Sequence, residues 1–222
     1  MCGIFGYISE SGNSSKCLSS LAKYSERRGK DSSGVFFYRD NGYQIIKSAE
    51  PITSLIRTVD YSDLPMMMGH SRLVTNGQSD NQPVFREQVC VIHNGIITNH
   101  KELWAEIDRN KSLEIDTEII AGLVEDFLQK GLDVELIPSK VIDLCKGVVA
   151  CAVALPTLGK LLLFSNNGSL YVGYKDGGIF FASEEFHLNK IRCKTIKQIR
   201  NEGVTLQIPS TKKMVKIEER TK

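Results

Sequence analysis

Cys2 carries the strongest chemical signal in this sequence. The chain opens Met1-Cys2-Gly3-Ile4-Phe5, so removal of the first residue would leave a cysteine that has both a thiol and a free α-amine. An α-amine has an unperturbed pKa of roughly 7.7–8.0, so it can take the thiol proton near neutral pH and generate the reactive thiolate. The alternative is a cysteine that follows the start methionine by chance in a packed strand, and Cys2 alone does not decide between the two.

Two polar segments have the residue types that bind a charged substrate. In residues 69–77, Arg72 offers a bidentate fork suited to a carboxylate, and Thr75 and Asn76 follow it in the same loop. Asp116 stands just before an apolar helical pattern, where a carboxylate could pair with an ammonium group. The alternatives are a surface ion pair for Arg72 and an ordinary helix cap for Asp116.

Two further segments contain glycine beside polar residues. Arg28 and Asp31 lie in a glycine-flanked loop that leads into a strand, although a helix end followed by a turn explains the same pattern. Asn94-Gly95 follows an apolar, strand-like run. An asparagine amide and a glycine N–H at a strand end can form an oxyanion hole, whereas the same dipeptide is also a hairpin-turn signal.

The periodicity of apolar residues predicts the elements that position these groups. Helices are predicted to start near Ser14 or Ser15, Asn99, Asp116 and Ser139, with a short one at 184–189. Strands are predicted at 2–8, 35–38, 43–47, 66–71, 89–93, 147–155, 160–165, 170–175 and 179–182, with a final set beyond residue 190. The order is strands, then paired helices, then a long antiparallel meander. Two antiparallel sheets with helices outside them, an α+β fold, would account for it, in three or four layers.

Composition excludes several classes of protein. The 222 residues fit one large domain or two small ones, and 28 Lys and Arg against 26 Asp and Glu argue against a nucleic acid or membrane partner. No apolar run reaches the ~18 residues of a membrane span, and the N-terminus lacks a signal-peptide pattern. The six cysteines form no Cys-x-x-Cys pair, and the four histidines have no metal-ligand spacing. We therefore expect no metal, five buried structural thiols besides Cys2, and a cytoplasmic location.

The motifs together, in this order, resemble those of the class II glutamine amidotransferases, which are N-terminal nucleophile hydrolases. They run from Cys2 to Asp116, and the later strands also fit, so the resemblance covers nearly the whole chain. It is closest to the glutaminase half of glucosamine-6-phosphate synthase, as residues 92–97, Asn99-His100 and 116–118 show. The resemblance implies one glutaminase domain over residues 1–222, a four-layer αββα sandwich of two antiparallel sheets, and no cofactor.

The resemblance also implies catalytic roles. The family's cysteine matches Cys2, which would attack the side-chain amide of glutamine with its own α-amine as base. Asn94 and Gly95 match the residues that hold the tetrahedral oxyanion, after which ammonia leaves and water hydrolyses the glutamyl thioester. Arg28 and Asp31 match a loop that we expect to brace the site without reacting.

Substrate recognition follows from the same resemblance. Arg72 matches the residue that binds the α-carboxylate of glutamine, helped by Thr75, and Asp116 matches the residue that pairs with its α-ammonium group. Asn76 stands in this substrate-binding loop where a histidine is expected. A zwitterion needs one cation and one anion on opposite sides of its Cα, so the implied roles agree with the residue types.

Three further positions depart from the family pattern. Leu73 stands where the synthase commonly has tryptophan in a loop that closes over glutamine, Gln82 where a histidine is expected, and Lys30 where an aromatic residue or proline is. None removes a catalytic group, but they put closure of this loop in doubt.

The chain stops at Lys222, where family enzymes usually continue into an acceptor domain. We therefore expect a separate synthase, aminotransferase or isomerase-type subunit to receive the ammonia for amino-sugar synthesis, unless the chain is an excised domain. The alternatives are an idle glutamine-sensing subunit, an asparagine-synthetase-like amide donor, and a hydrolase of bile-salt or penicillin amides. Arg72 and Asp116 favour a free amino acid as the substrate over bile-salt or penicillin amides.

Overall fold

The computed structural model describes residues 2–10, 15–39, 42–62, 64–74, 80–209 and 216–221. The helices are α1 Ser15–Ser25, α2 Ile52–Arg57, α3 His100–Glu106, α4 Thr117–Gln129, α5 Ile137–Leu144 and α6 Glu185–Lys190. The strands are β1 Gly3–Ser9, β2 Ser32–Arg39, β3 Gly42–Ser48, β4 Met66–Arg72, β5 Val84–Arg86, β6 Val89–His93, β7 Ile96–Ile97, β8 Gly147–Val148, β9 Ala150–Leu155, β10 Lys160–Ser165, β11 Tyr171–Lys175, β12 Gly178–Ala182, β13 Lys194–Gln198, β14 Glu202–Gln207 and β15 Lys216–Thr221.

Two sheets form the centre of the fold. The larger has eight strands in the order β13-β11-β12-β1-β4-β2-β3-β15, and the smaller has five in the order β14-β10-β9-β6-β5. Strands β7 and β8 make a separate short pair. Neighbouring strands are antiparallel in both sheets, except that β15 runs parallel to β3 at one edge.

Three apolar clusters show how the layers stack. The first lies between the two sheets and contains Ile4 and Met68 from the larger sheet and Ile92 from the smaller one. The second packs the outer face of the smaller sheet on α3, α4 and α5, and the third packs the outer face of the larger sheet on α1, α2 and α6. Because successive strand residues point to opposite faces, strands covered on both sides, such as β1 and β4, have apolar residues on both faces. The predicted four-layer αββα sandwich is confirmed.

Several connections differ from the sequence prediction. The expected meander divides between the sheets, because β9 pairs with β10 in the smaller sheet whereas β11 pairs with β12 in the larger one. The strand predicted at 147–155 is interrupted at Val149 and forms β8 and β9. Helix α2 and strand β5 were not predicted, because six and three residues are too few to establish a period.

The cysteines follow the prediction in part. Cys90, Cys145 and Cys151 are buried, whereas Cys17 and Cys193 are half-buried, and all of them are free thiols. Among the described residues, no helix has the length and apolar content needed to cross a bilayer.

Candidate active site

Strand ends from both sheets converge at one edge of the sandwich. Strand β1 pairs antiparallel with β4 so that Gly3 lies opposite Ser71, which places Cys2 beside Arg72, the last residue of β4. Asn94 follows directly after β6 in the facing sheet. The larger sheet therefore provides the thiol and the guanidinium group, and the smaller sheet provides the amide.

The thiol of Cys2 lies against the backbone that follows Arg72. Its Sγ accepts from the Leu73 N–H at 3.4 Å and can donate to the Leu73 carbonyl oxygen at 3.5 Å. The carbonyl oxygen of Cys2 accepts from Arg28 Nε at 2.8 Å, and Arg28 forms an ion pair with Glu184. Arg28 thus fixes the backbone of Cys2, and sequence analysis did not find either Glu184 or the Leu73 backbone as parts of the site.

Burial raises the pKa of Cys2 above that of a free thiol, and the Leu73 N–H and the charges of Arg72 and Arg28 oppose this effect only in part. The thiol is therefore protonated at neutral pH, and a base must remove the proton before it can act as a nucleophile. In the part of the chain that the structure describes, both hydrogen bonds of Sγ involve the Leu73 backbone. None of the described side chains accepts a hydrogen bond from this thiol.

The loop between Arg28 and β2 shapes the end of β4. The Asp31 N–H donates to the Arg72 carbonyl oxygen at 3.0 Å, and Asp31 Oδ2 accepts from the Val74 N–H at 2.7 Å. Gly29 packs so closely that a Cβ there would lie 2.3 Å from the Arg72 carbonyl carbon. Gly29 and Asp31 therefore set the course of the backbone that carries Arg72 and contacts Cys2.

Arg72 is a buried cation, with only 4% of its surface exposed. Burial lowers the pKa of its guanidinium group, and the nearby charges of Cys2, Asp80, Asp31 and Asp116 raise it again in part. These three acids and the thiol are therefore close enough to Arg72 to interact with its charge.

Arg72 also lines a cavity of about 320 Å³ on its β2 and β3 side, together with Lys47, Asp80 and Glu219. Cys2 and Asn94 are not among the lining residues. This cavity adjoins the candidate site through Arg72 and does not contain the thiol.

Asn94 and Gly95 form a strand-end loop that another strand approaches closely. The Asn94 N–H donates to the Ala150 carbonyl oxygen at 2.9 Å, and Asn94 is 2% exposed. Gly95 has a φ of +158°, and a Cβ there would lie 1.9 Å from the Val148 carbonyl oxygen. The hairpin-turn alternative is wrong, because β7 pairs with β8 rather than with β6.

Asp116 lies at the start of α4 and is 5% exposed. Its side chain makes no capping hydrogen bond to the helix. Instead Asp116 Oδ2 accepts from the Ile97 N–H at 2.6 Å, which ties the helix to the loop after Gly95. Asn99, predicted to cap α3, likewise binds elsewhere: its amide bridges the Leu144 carbonyl oxygen and the Lys146 N–H.

A buried hydrogen-bond network lies behind Asn94, and sequence analysis missed it. The side-chain amide of Gln82 contacts both backbone groups of His93, and it also donates to the hydroxyl of Thr117. His93 Nε2 lies 3.1 Å from the Val148 carbonyl oxygen. Burial lowers the pKa of His93, opposed by the charge of Asp116 and by this carbonyl contact, so the imidazole is neutral at physiological pH.

The structure thus brings most of the sequence-predicted residues to one edge of the sandwich, namely Cys2, Arg28, Asp31, Arg72, Asn94, Gly95 and Asp116. Thr75 and Asn76 lie outside the described residues, so their predicted substrate contacts stay predictions. Within the described ranges, no group of three or more His, Cys, Asp and Glu side chains could hold a metal ion.

Comparison with known proteins identifies a family and a set of relatives. Residues 70–190 match the family described as a glutamine amidotransferase domain. The chain is 32% identical over 193 residues to the glutamine–fructose-6-phosphate aminotransferase (isomerizing) of Helicobacter pylori strain J99, which covers 82% of this chain and 32% of the relative. The enzyme of the same name from Staphylococcus aureus strain N315 is 30% identical over 216 residues, or 93% and 36% of the two chains. This chain spans about a third of the length of these relatives.

Solved structures share the fold at lower identity. The glutamine phosphoribosylpyrophosphate amidotransferase of B. subtilis, complexed with ADP and GMP, superposes with a TM-score of 0.75 at 17% identity over 93% of this chain and 49% of that one. An allosteric regulatory enzyme of purine biosynthesis gives a TM-score of 0.73 at 18% identity, with the same coverage.

The close approach of Val148 to Gly95 leads to a prediction about stability. Gly95→Ala should destabilise the protein more than Gly177→Ala. Both positions have a positive φ, which costs roughly 1–3 kcal/mol for other residues, but a Cβ at Gly177 meets nothing within 4 Å. Overpacking against the Val148 backbone should add about 1–3 kcal/mol. Denaturant unfolding measures both variants, and equal losses would contradict the close packing.

Proposed function

Because this chain belongs to the class II glutamine amidotransferases, we propose that it hydrolyses the side-chain amide of L-glutamine to glutamate and ammonia, with Cys2 as the nucleophile. The observation that carries the proposal is the contact between the Cys2 thiol and the Leu73 backbone, directly after buried Arg72. A thiol beside a buried guanidinium group can act on a substrate that the cation holds by its carboxylate.

The chemistry begins with removal of Met1, which frees the α-amine of Cys2. This amine takes the thiol proton, and the thiolate sulfur attacks the amide carbon of glutamine. The oxyanion that forms on the amide oxygen is stabilised by the side-chain amide of Asn94 and the N–H of Gly95. The amine then returns the proton to the leaving nitrogen as ammonia departs. Water hydrolyses the resulting thioester, which releases glutamate and restores the thiol.

Recognition of the free amino acid uses the two charges on either side of its Cα. Arg72 binds the α-carboxylate by a charge-assisted hydrogen bond, and Asp116 pairs with the α-ammonium group. Thr75 and Asn76 complete the carboxylate side of this proposal. Arg28 and Asp31 brace the site, in agreement with their bonds to the backbone of Cys2 and of Val74.

The ammonia is delivered to an acceptor module of the synthase or isomerase type, for amino-sugar synthesis. The support is the likeness to glutamine–fructose-6-phosphate aminotransferases, which are about three times longer than this chain. Ile96 and Val148 are exposed apolar residues that lie opposite each other on β7 and β8 beside Gly95, and Leu73, beside Cys2, is exposed as well. Adjacent exposed apolar residues are typical of protein interfaces, so the pair on β7 and β8 suits contact with such a module.

The nucleophile is tested by assaying ammonia release from glutamine, with asparagine and acyl-amides as competing substrates. Intact mass should show that Met1 is absent from the active protein, because a peptide bond to Met1 removes the basic amine. Cys2→Ser and Cys2→Ala should fold normally and lose nearly all activity, whereas Cys17→Ser, at a half-buried cysteine outside the site, should keep it. Full activity in protein that retains Met1 would contradict this mechanism.

The charges of the substrate provide a second test. Arg72→Ala and Asp116→Asn should each weaken glutamine binding, and Asp116→Asn keeps an oxygen that can accept the Ile97 N–H. A charge-assisted hydrogen bond contributes about 1.5–3 kcal/mol, which is about ten- to a hundredfold in affinity. Arg39→Ala, which breaks a surface ion pair with Asp60, is the matched control. Unchanged affinity in both site variants would exclude this binding mode.

The acceptor is tested by a nitrogen balance with amide-labelled glutamine. The chain alone should release its label slowly as free ammonia, and adding the true acceptor should raise the rate and move label into an amino product. A candidate that changes neither the rate nor the product is not the acceptor. If glutamine is hydrolysed in neither case, the proposed activity itself is wrong.

A further inference from the structure

We propose that Gln82 is a positioning residue for this reaction, because it holds the Asn94–Gly95 loop of the smaller sheet in place relative to Cys2 on the larger sheet. The inference rests on the proposed function, since it concerns the oxyanion-binding loop of that site. Gln82 is 6% exposed and lies ten residues beyond Arg72 in the chain. It contacts the residue directly before Asn94.

The side-chain amide of Gln82 brackets the backbone of His93. Its Oε1 accepts from the His93 N–H at 2.6 Å, and its Nε2 donates to the His93 carbonyl oxygen at 3.1 Å. The second hydrogen of Nε2 points to Thr117 Oγ1 at 3.0 Å. This orientation is the only one that fits, because a flipped amide would turn its NH₂ group toward the His93 N–H. Three hydrogen bonds therefore fix the end of β6 from which Asn94 extends.

The network continues from Gln82 to Gly95. Because the Val148 carbonyl oxygen is only an acceptor, His93 Nε2 carries the proton and donates to it at 3.1 Å. His93 Nδ1 then accepts from the Thr117 hydroxyl at 3.3 Å, and this hydroxyl accepts from Gln82. The Val148 carbonyl oxygen is the atom that a Cβ on Gly95 would meet first. Gln82 thus orients the His93 backbone on one side of the Asn94–Gly95 loop and, through Thr117 and the His93 ring, the Val148 carbonyl group on the other.

The residue before Gln82 anchors it to the larger sheet. Asn81 Nδ2 donates to the carbonyl oxygens of Ser33 at 2.8 Å and Ser48 at 3.2 Å, on β2 and β3. Asn81 Oδ1 accepts from the Ser32 hydroxyl at 3.2 Å and from the Gln82 N–H at 2.8 Å. The two adjacent amides therefore link the sheet that carries Cys2 and Arg72 to the strand end that carries Asn94.

This arrangement predicts which kinetic constant Gln82 controls. The oxyanion exists only in the transition state and the tetrahedral intermediate, so a displaced oxyanion loop lowers kcat while glutamine binding at Arg72 and Asp116 persists. Loss of one oxyanion donor costs about 10²–10³-fold in turnover. Removing the group that positions the donor should cost at least about tenfold and no more than Asn94→Ala itself.

The test uses Gln82→Met, which keeps the length of the side chain and removes all three hydrogen bonds. The matched control is Gln198→Met, because Gln198 Nε2 also donates to a backbone carbonyl oxygen and a hydroxyl group, those of Gly168 and Tyr171. We expect Gln82→Met to lower kcat with little change in KM, and Gln198→Met to change neither. The rate at which iodoacetamide alkylates Cys2, read from its peptide by mass spectrometry, should be unchanged in both.

A double-mutant cycle separates positioning from general destabilisation. If Gln82 acts through Asn94, the loss in Asn94→Ala/Gln82→Met is smaller than the product of the two single losses. A multiplicative loss, an unchanged kcat, or an altered Cys2 alkylation rate would overturn the proposal. If Gln82→Met does not fold, Thr117→Val is used instead, because it interrupts the same network and should lower kcat. Thr117→Ser keeps the hydroxyl and should have the kcat of the wild-type protein. Inactive wild-type protein would instead refute the proposed function.

Discussion

The burial of Arg72 beside Cys2 is the interaction on which the rest of the site depends. A guanidinium group removed from water is costly unless opposite charges and hydrogen bonds compensate it, and the charges of Asp31, Asp80 and Asp116 all act on it here. The pairing of β1 with β4 sets the distance between the cation and the thiol. A slip of one residue in that register would turn Arg72 toward the helices on the outer face. The strand register that builds the larger sheet is therefore also the one that places Arg72 beside Cys2.

Polar side chains that resemble helix caps in the sequence connect separate parts of the chain instead. Asp116 accepts from the Ile97 N–H, and the amide of Asn99 joins two backbone groups near the end of α5. Asp116 satisfies a buried backbone N–H and Asn99 satisfies two partly buried backbone groups, and a folded protein pairs its buried backbone groups almost without exception. These bonds hold β7 against β8, and that pair brings Val148 up to Gly95. The shape of the Asn94–Gly95 loop therefore depends on residues far from it in sequence.

Much of the fold was predictable because local patterns and tertiary packing agree. The apolar face of α4 and the apolar runs of β1 and β4 are visible in the sequence, and the structure has these elements within a residue or two of the prediction. The division of residues 147–182 between two sheets was not predictable, because pairing partners are chosen by packing and not by strand propensity. Helix α2 and strand β5 are too short to be stable alone, and they form because the surrounding core packs against them.

The sequence by itself determined which groups are available for chemistry: a thiol at the second residue, an arginine at a strand end, an asparagine–glycine pair and an acid before a helix. It also determined their family, because the order of these motifs is specific. Only the tertiary structure decided that Asn94-Gly95 is a loop and not a hairpin turn, and that Gln82 lies behind it. The physical reason is that the first fact depends on the pairing of β7 with β8, and the second on hydrogen bonds between the side chain of Gln82 and the backbone of His93. The apolar residues that drive the two sheets together are readable in the sequence, but which polar groups meet in hydrogen bonds depends on how the sheets are packed in the folded protein.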